Sequence, residues 1–302
     1  MDRLESMSML VAVADAGSLS AAGRRLNVPL TTVSRKVSEL EAHLGTQLIQ
    51  RSSRRIALTD AGTAYIEACR RILDDISEAE RTASGEYQAP RGELVITAPI
   101  VFGRLHLLPV ICDFLKAYPE IDIRLVQADR NINLADEHIH LAVRIGALPD
   151  STMMATRVGE VRRVICGSPD YFALHGIPLR PEDLVSHDCI TSDVLDAPDI
   201  WRFGSGRSEI VITVRPRMYV TTAEASIDAA VAGIGVARLL SYQVARALGD
   251  GSLALVLEDF ESPPRPVNLL HAGGKKVPLK LRAFLDFAAP RLRASLTPNG
   301  SS

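Results

Sequence analysis

Two short apolar faces set back to back constrain the first sixty residues more than anything else in the chain. After Ser18, a good N-cap, Leu19, Ala22 and Leu26 recur at helical spacing, and Asn27-Val28-Pro29 then breaks the helix. Val33, Val37, Leu40 and Leu44 form the next face, closed by Gly45. Ahead of both, Leu4, Met7, Val11 and Ala14 mark one side of a helix that Gly17 stops. Helix, tight turn, helix is the geometry that puts a second helix into the DNA major groove, its N-terminal side chains toward the bases. On this register Thr31, Thr32, Arg35 and Lys36 point away from the apolar face. Hydroxyls read base edges and cations hold phosphates.

Charge is concentrated in the same stretch. The 302-residue chain has a net charge of -2, yet Ser18 to Leu58 holds Arg24, Arg25, Arg35, Lys36, Arg51, Arg54 and Arg55 against Glu39 and Glu41, a local excess of +5. Such a block points to an anionic partner for that region alone. A solvated face is the plainer alternative, and charge by itself favours it. The helical pattern shifts the balance, and so does the segment after Gly45. TQLIQRSSRRIALT alternates around a cationic centre and reads as a small β-hairpin, a wing whose Arg54 and Arg55 reach phosphates beside the groove.

SAAGRRLNVPLTTVSRKVSELEAHLGTQLIQRSSRRIALTDAG resembles the winged helix-turn-helix of LysR-type transcriptional regulators. The matching elements are Ala21-Ala22, Val33-Ser34, Leu40-Glu41, Leu44-Gly45, Leu48, Arg51, Arg55 and Leu58-Thr59-Asp60-Ala61-Gly62. The motif is long and ordered, and the likeness runs on more loosely past residue 90. Pro29 and Leu30 depart from the Ser and polar residue frequent in the family, and Ile49 replaces a frequent Phe. Leu30 cannot hydrogen-bond a base, so a reading there is apolar, as against a thymine methyl. With the residue pattern, the resemblance gives Ser18, Ser20, Pro29, Thr31, Thr32, Ser34, Arg35, Lys36, Arg51, Arg54 and Arg55 as candidate DNA contacts. It also implies partly palindromic double-stranded promoter DNA as partner, self-association as a dimer or tetramer, and RNA polymerase as a further partner.

From Thr59 a long helical stretch carries Tyr65, Cys69, Ile72, Ile76, Ala79 and Ala83 at alternating spacings of four and three. That heptad seam suits a coiled-coil partner; packing on its own domain is the alternative. The family's dimerising linker helix agrees with the first reading. QAPRG then reads as a boundary, giving a winged helix-turn-helix over 1–60, a linker over 61–90 and an effector domain over 91–302.

Beyond the boundary, LVITA, IDIRLV and HLAVRIG read as buried strands between helical segments such as RLHLLPVICDFLKAYP. VRRVICG opens a second set that ends near SLALVLEDF, and PVNLLHA with a final helix from Pro278 returns to the first. Strand–helix alternation predicts open, mostly parallel α/β sheets, which bind ligands at the C-terminal ends of their strands. The resemblance implies a two-lobed module like a periplasmic binding protein, with lobe I over 91–163 and 267–302, and lobe II over 164–266. Crossings then fall near Arg162 to Val164 and Arg265 to Val267.

Strand ends give the candidate effector contacts: Ile100, Val101, Phe102, Gly103 and Arg104, then Asp129, then Arg144 and Gly146, and in the second lobe Thr221 and Thr222. A helix N-terminus after Thr222 suits an anion, although Thr222 as a plain cap is the better reading of that residue alone. Arg104 and Arg144 pair with an anion or serve as surface or interlobe cations. The expected effector is a small anionic or polar molecule; no cofactor is implied.

Enzymatic readings fare poorly. His138-Ile139-His140 lacks a third metal ligand, and Gly233-Ile234-Gly235 has Arg238 where a dinucleotide fingerprint needs glycine. GxSxG, HExxH and GxxxxGK[ST] do not occur. Four scattered cysteines without a CxxC pair read as reduced, mostly buried thiols. Trp201 reads as a core or lobe-edge aromatic. The N-terminus lacks a secretory pattern, and no apolar run is long enough for a membrane span, so a cytoplasmic chain is expected. Two function classes stand: a ligand-responsive DNA-binding regulator, and a small-molecule binding protein or enzyme whose basic block is incidental.

Overall fold

A computed structural model describes residues 2–51, 56–84, 89–129, 139–148, 153–192, 197–272 and 277–297. The chain forms two compact units, residues 1–88 and 89–302.

The first unit runs α1 (Arg3–Ala16), α2 (Leu19–Leu26), α3 (Leu30–Leu44), β1 (Ile49–Arg51), β2 (Ile56–Leu58) and α4 (Asp60–Ser84). Asp2 caps α1, accepting from the Leu4 and Glu5 N–H groups at 3.0 and 3.2 Å. Ser18 caps α2 through the Ala21 N–H at 3.1 Å. Met9, Leu10, Val13, Ala22, Val33, Val37, Leu40, Leu48, Ile49 and Ile66 make one core.

The face expected for α1 is rotated. Ser6, Met9, Leu10, Ala12 and Val13 are buried, whereas Leu4 lies exposed. Apolar residues run almost all round this helix, so spacing alone does not single out a side. Leu44, assigned to the α3 face, is exposed as well.

β1 and β2 pair antiparallel, Ile49 opposite Leu58 and Arg51 opposite Ile56, which gives the expected hairpin. Its tip, with Arg54 and Arg55, lies outside the described residues. Glu41 accepts from the Leu48 and Ile49 N–H groups at 2.8 and 3.1 Å, tying α3 to the hairpin. Thr59 donates to the Gln47 carbonyl at 2.8 Å and caps α4 by accepting from Gly62 N–H at 2.9 Å. A Cβ at residue 62 would stand 1.9 Å from the Leu48 carbonyl oxygen, so only glycine lets α4 start this close to the hairpin.

The second unit continues with β3 (Gly92–Ala98), α5 (Ile100–Phe102), α6 (Leu108–Ala117), β4 (Ile121–Gln127), β5 (Leu141–Ile145) and β6 (Met153–Val161). Then come β7 (Arg163–Gly167), α7 (Pro169–His175), β8 (Asp188–Ser192), β9 (Ile200–Phe203), β10 (Ile210–Thr213) and β11 (Arg215–Val220). The chain closes with α8 (Ala223–Val231), β12 (Val236–Leu240), α9 (Ser241–Gly249), β13 (Ala254–Val256), β14 (Arg265–Ala272) and α10 (Leu279–Leu296).

One five-stranded sheet has the order β4-β3-β5-β14-β6 and the other β11-β8-β12-β7-β13. The sheets are mixed, not mostly parallel. β3 pairs parallel with β4 and β5, while β14 runs antiparallel to β5 and β6. In the second sheet β8 pairs parallel with β11 and β12, and β7 antiparallel with β12 and β13. The strands that pass between the sheets cause this, because a chain that leaves a lobe and returns enters it in the opposite sense.

The first passage is Arg162, between β6 and β7; the second lies ahead of Arg265, which already pairs with Val161 in the first sheet. Arg162 clamps the two passages together, donating to Glu261 at 2.7 and 2.8 Å and to Glu258 at 3.0 Å. Between α5 and α6 the helix widens to a π turn over Gly103–Leu107. Pro109, two residues after it, has no N–H for the preceding turn, which suits the wider winding.

Candidate functional site

The recognition surface is built on α3. Pro29 stands just before its first residue, with Thr31 and Arg35 exposed one turn apart and Thr32 half-buried. Leu30 is 49 % exposed beside them, an apolar group on a face otherwise polar. Arg35 pairs with Glu39 at 2.7 Å, and Arg25 lies 3.8 Å from Asp15. These exposed pairs are weak, so a phosphate exchanges for either carboxylate at little cost. Lys36 differs: its side chain is only 13 % exposed and is tied to Glu5 of α1. It holds the two helices together more than it faces outward. Ser18 bonds the Ala21 N–H and approaches Ser20 Oγ at 3.5 Å. Arg51 lies in β1, and the wing arginines fall outside the described residues.

The α4 seam divides. Cys69 is wholly buried and Tyr65 packs against the core of its own unit, so this half of the expected seam is occupied within one chain. Burial raises the thiol pKa of Cys69, and raises that of the Tyr65 phenol. Ile72 is 41 % exposed, Ile76 is half-buried and Ala79 exposed. An open apolar face therefore begins at Ile72, about two turns later than the sequence pattern suggests.

In the second unit three of the residues expected at the effector are buried. Val101 and Phe102 belong to the core, and Gly103 is buried against Gln127. Ile100 presents backbone: its N–H is taken by Asp129 Oδ1 at 3.0 Å and its carbonyl by Gln127 Nε2 at 3.3 Å. Arg104 is exposed on the π turn, and Arg144 sits within β5 opposite Asn268. Thr222 caps α8, accepting from the Ala225 N–H at 3.2 Å, and Thr221 is exposed before it. The structure thus shows the cap expected of that residue.

Side chains that sequence reasoning missed complete this end of the cleft. Phe102 and His106 of the first lobe pack on Tyr242 of α9, with ring centroids 4.9 to 5.6 Å apart. His106 Nε2, Tyr242 Oη and Glu224 Oε2 are buried without a hydrogen-bond partner among the described residues. Gln243 directs its Oε1 to the Leu240 N–H at 2.8 Å, and its side chain lies near enough to the phenol to oppose the rise in the Tyr242 pKa. Burial pushes the Asp129 carboxyl up; the Ile100 N–H opposes this and Glu224 adds to it. Burial likewise raises the Tyr242 phenol and lowers the His106 imidazole, which favours its neutral form. Two carboxylates thus meet beside Thr222, and an anion expected there faces like charge.

At the passages between lobes the sign reverses. Arg163, Arg238 and Arg265 are each half-buried, and Arg238 lies 5.2 Å above the ring of Trp201, itself 1 % exposed in the second core. Burial lowers Arg238 to about 9 and Arg163 to about 10, with the neighbouring arginines adding repulsion. Arg238 was legible as an oddity, a cation inside the apolar strand VARLL. His140, singled out for metal, accepts the Val95 N–H at 2.9 Å; His138 lies outside the described residues.

Known proteins agree with this architecture. The family model "Bacterial regulatory helix-turn-helix protein, lysR family" matches residues 4–63, and "LysR substrate binding domain" matches residues 87–293. An HTH-type transcriptional regulator of Xanthomonas campestris is 34 % identical over 96 % of this chain and 85 % of its own length. The solved LysR-type regulator CrgA of Neisseria meningitidis is 29 % identical, with a TM-score of 0.61 over 95 % of this chain and 98 % of that one. The Vibrio cholerae virulence activator AphB is 26 % identical, with a TM-score of 0.61 over 94 % of this chain and 98 % of that one. With a helix-turn-helix ahead of a two-sheet effector-binding domain along its whole length, the chain belongs to the LysR-type transcriptional regulators.

Proposed function

We propose that α3 and the β1–β2 wing read promoter DNA, that two chains present them to a partly palindromic site through α4, and that a small molecule between the lobes alters the arrangement. The observation that carries this is the exposed Thr31–Arg35 face inside a block with a charge excess of +5. Thr31 and Thr32 read base edges, Leu30 offers an apolar contact, and Arg35, Arg51, Arg54 and Arg55 hold phosphates. Ser18, Ser20, Pro29 and Ser34 position the backbone around them. A promoter reader works in the cytoplasm; no helix among the described residues is long and apolar enough to cross a membrane. Assembly to a tetramer and a contact with RNA polymerase belong to the same reading.

Fluorescence anisotropy of the full chain on DNA upstream of its own gene tests it. Arg35→Ala weakens binding to all sequences and reduces the slope of log K against log salt by about one. No binding to any such fragment at low salt sinks the DNA assignment. Replacing Ile72 and Ile76 together with Asp puts charge into the α4 face, and sedimentation shows a smaller species of poor operator affinity. An unchanged assembly size removes α4 from the dimer.

Between the lobes the effector touches Ile100, Asp129 and Gly146 on one side and Thr221, Thr222, Glu224 and Tyr242 on the other. Unmatched polar atoms at strand-to-helix junctions support the reading. Such a ligand changes promoter affinity only as far as it prefers one lobe arrangement to another.

A further inference from the structure

We propose that the passage end of the cleft is an anion site, in which Arg163, Arg238 and Arg265 together bind a small molecule carrying two or more negative charges as carboxylate or phosphate. This rests on the cleft reading above and gives the effector a chemical class.

Strand register brings the first two arginines together. In the antiparallel pair of β7 and β12, Arg238 faces Ile165 and Leu240 faces Arg163. Paired residues share a face, as do alternate residues of one strand, so Arg163 and Arg238 are diagonal neighbours on one side of the sheet. Arg265 begins β14 opposite Val161, two residues before Arg163. Its guanidinium lies over Gly146 at the end of β5, where a Cβ would stand 3.0 Å from a terminal nitrogen. Gly146 also has φ of +112°, so this spot stays bare. Arg163, Arg265 and Gly146 line a cavity of about 340 Å³ with Arg202, Ser205 and Ser262.

Among the described residues none of the three arginines has a carboxylate within salt-bridge distance. Glu209 also lines the cavity, but it pairs with Arg202 at 3.2 Å. Arg162, next in sequence, shows what a paired hinge arginine looks like: it turns to Glu258 and Glu261. Arg163 and Arg265 face the cavity instead, and Arg238 adjoins them from its place above the Trp201 ring. Like charges held half-buried repel and are poorly hydrated, which destabilises the empty protein and favours any anion that spans them. Rigid, forked donors suit carboxylate and phosphate oxygens better than they suit chloride. Because the arginines come from both sheets beside the two passages, a bound polyanion joins the lobes where they hinge.

The test is thermal unfolding of the full chain with citrate or inorganic phosphate, each against sodium chloride of equal ionic strength. At about tenfold over its Kd, a polyanion raises Tm by about 3 to 5 °C beyond the chloride control. Stabilisation by citrate alone assigns carboxylate chemistry, and by phosphate alone phosphate chemistry. Arg238→Met abolishes most of that increment while leaving the Tm of the ligand-free protein equal or higher, which a purely structural arginine would not do. Arg238→Lys keeps charge without the fork and retains part of the increment, and circular dichroism confirms that each variant is folded. Equal Tm in polyanion and chloride, or an undiminished increment after replacement of all three arginines by Met, overturns the proposal. The cleft reading fails separately, if no small molecule changes operator affinity in the unaltered protein. An inducer that acts fully on the triple variant keeps that reading and removes this one.

Discussion

Among the described residues of the DNA-reading unit no buried side-chain polar atom lacks a partner, whereas in the cleft several do. Glu41 serves two N–H groups of the hairpin, Thr59 serves both hairpin and helix, and Lys36 is held by Glu5. Across the cleft, among the described residues, His106, Glu224 and Tyr242 bury polar atoms without partners, and Arg163 and Arg265 line a cavity beside Arg238 with no carboxylate paired to any of the three. An unmade buried hydrogen bond costs more than a made one contributes, so a native chain keeps such groups only where something else completes them. The first region is finished on folding. On the proposed function, a ligand finishes the second.

The sharpest way to break this contrast is Gly62→Val. The contact of residue 62 with the Leu48 carbonyl leaves no room for a side chain, so α4 or the hairpin must move. Denaturant unfolding of the first unit loses about 3 kcal/mol or more, with loss of operator binding. A loss below about 1 kcal/mol shows that the helix–hairpin junction gives way easily, and the finished character of that unit is then wrong.

The same contrast governs what was legible beforehand. The winged helix-turn-helix could be read because its residues act locally: Ser18, Gly17 and Gly45 cap or stop helices within a few positions of the pattern they end. Glu41 and Gly62, both in the family motif, are structural joints between a helix and the hairpin. The cleft was legible only as strand ends. Val101 and Phe102 lie beside a junction yet turn inward, since a short helix beginning at Ile100 rotates them into the core. Arg163, Arg238 and Arg265 are far apart in sequence and meet only through sheet register, which no local pattern carries. The seam divides for a related reason. A heptad spacing marks an apolar face without saying which chain covers it, and Cys69 is covered by its own unit.

A smaller effect is expected at Thr222→Val, which keeps the shape and removes the cap of α8. Stability falls by about 1 kcal/mol through the freed Ala225 N–H, read from denaturant unfolding without ligand. DNA binding without effector survives. If the hydroxyl also donates to the effector, affinity falls by a further amount, about 0.5 to 1.5 kcal/mol. A variant as stable as the parent shows that this end of the cleft is less ordered by its own side chains than the contrast requires.

The smallest effect, and the most telling, belongs to Tyr242→Phe. The ring packs on Phe102 and His106 across the lobes, and phenylalanine preserves those contacts. The buried hydroxyl makes no hydrogen bond of normal geometry among the described residues; burial and the nearby Asp129 raise its pKa, the Gln243 side chain opposes them, and the phenol stays neutral. Removing it leaves Gln243 with its bond to the Leu240 N–H. Unfolding of the ligand-free protein therefore shifts by less than about 0.5 kcal/mol, and any shift is toward greater stability, because the desolvation cost of the hydroxyl disappears. A loss of about 1 kcal/mol or more means that the phenol already has its partner in the empty protein. In that case the aromatic cluster is a finished interlobe contact of the same kind as the Glu41 joint, and the ligand must find its partners elsewhere in the cleft.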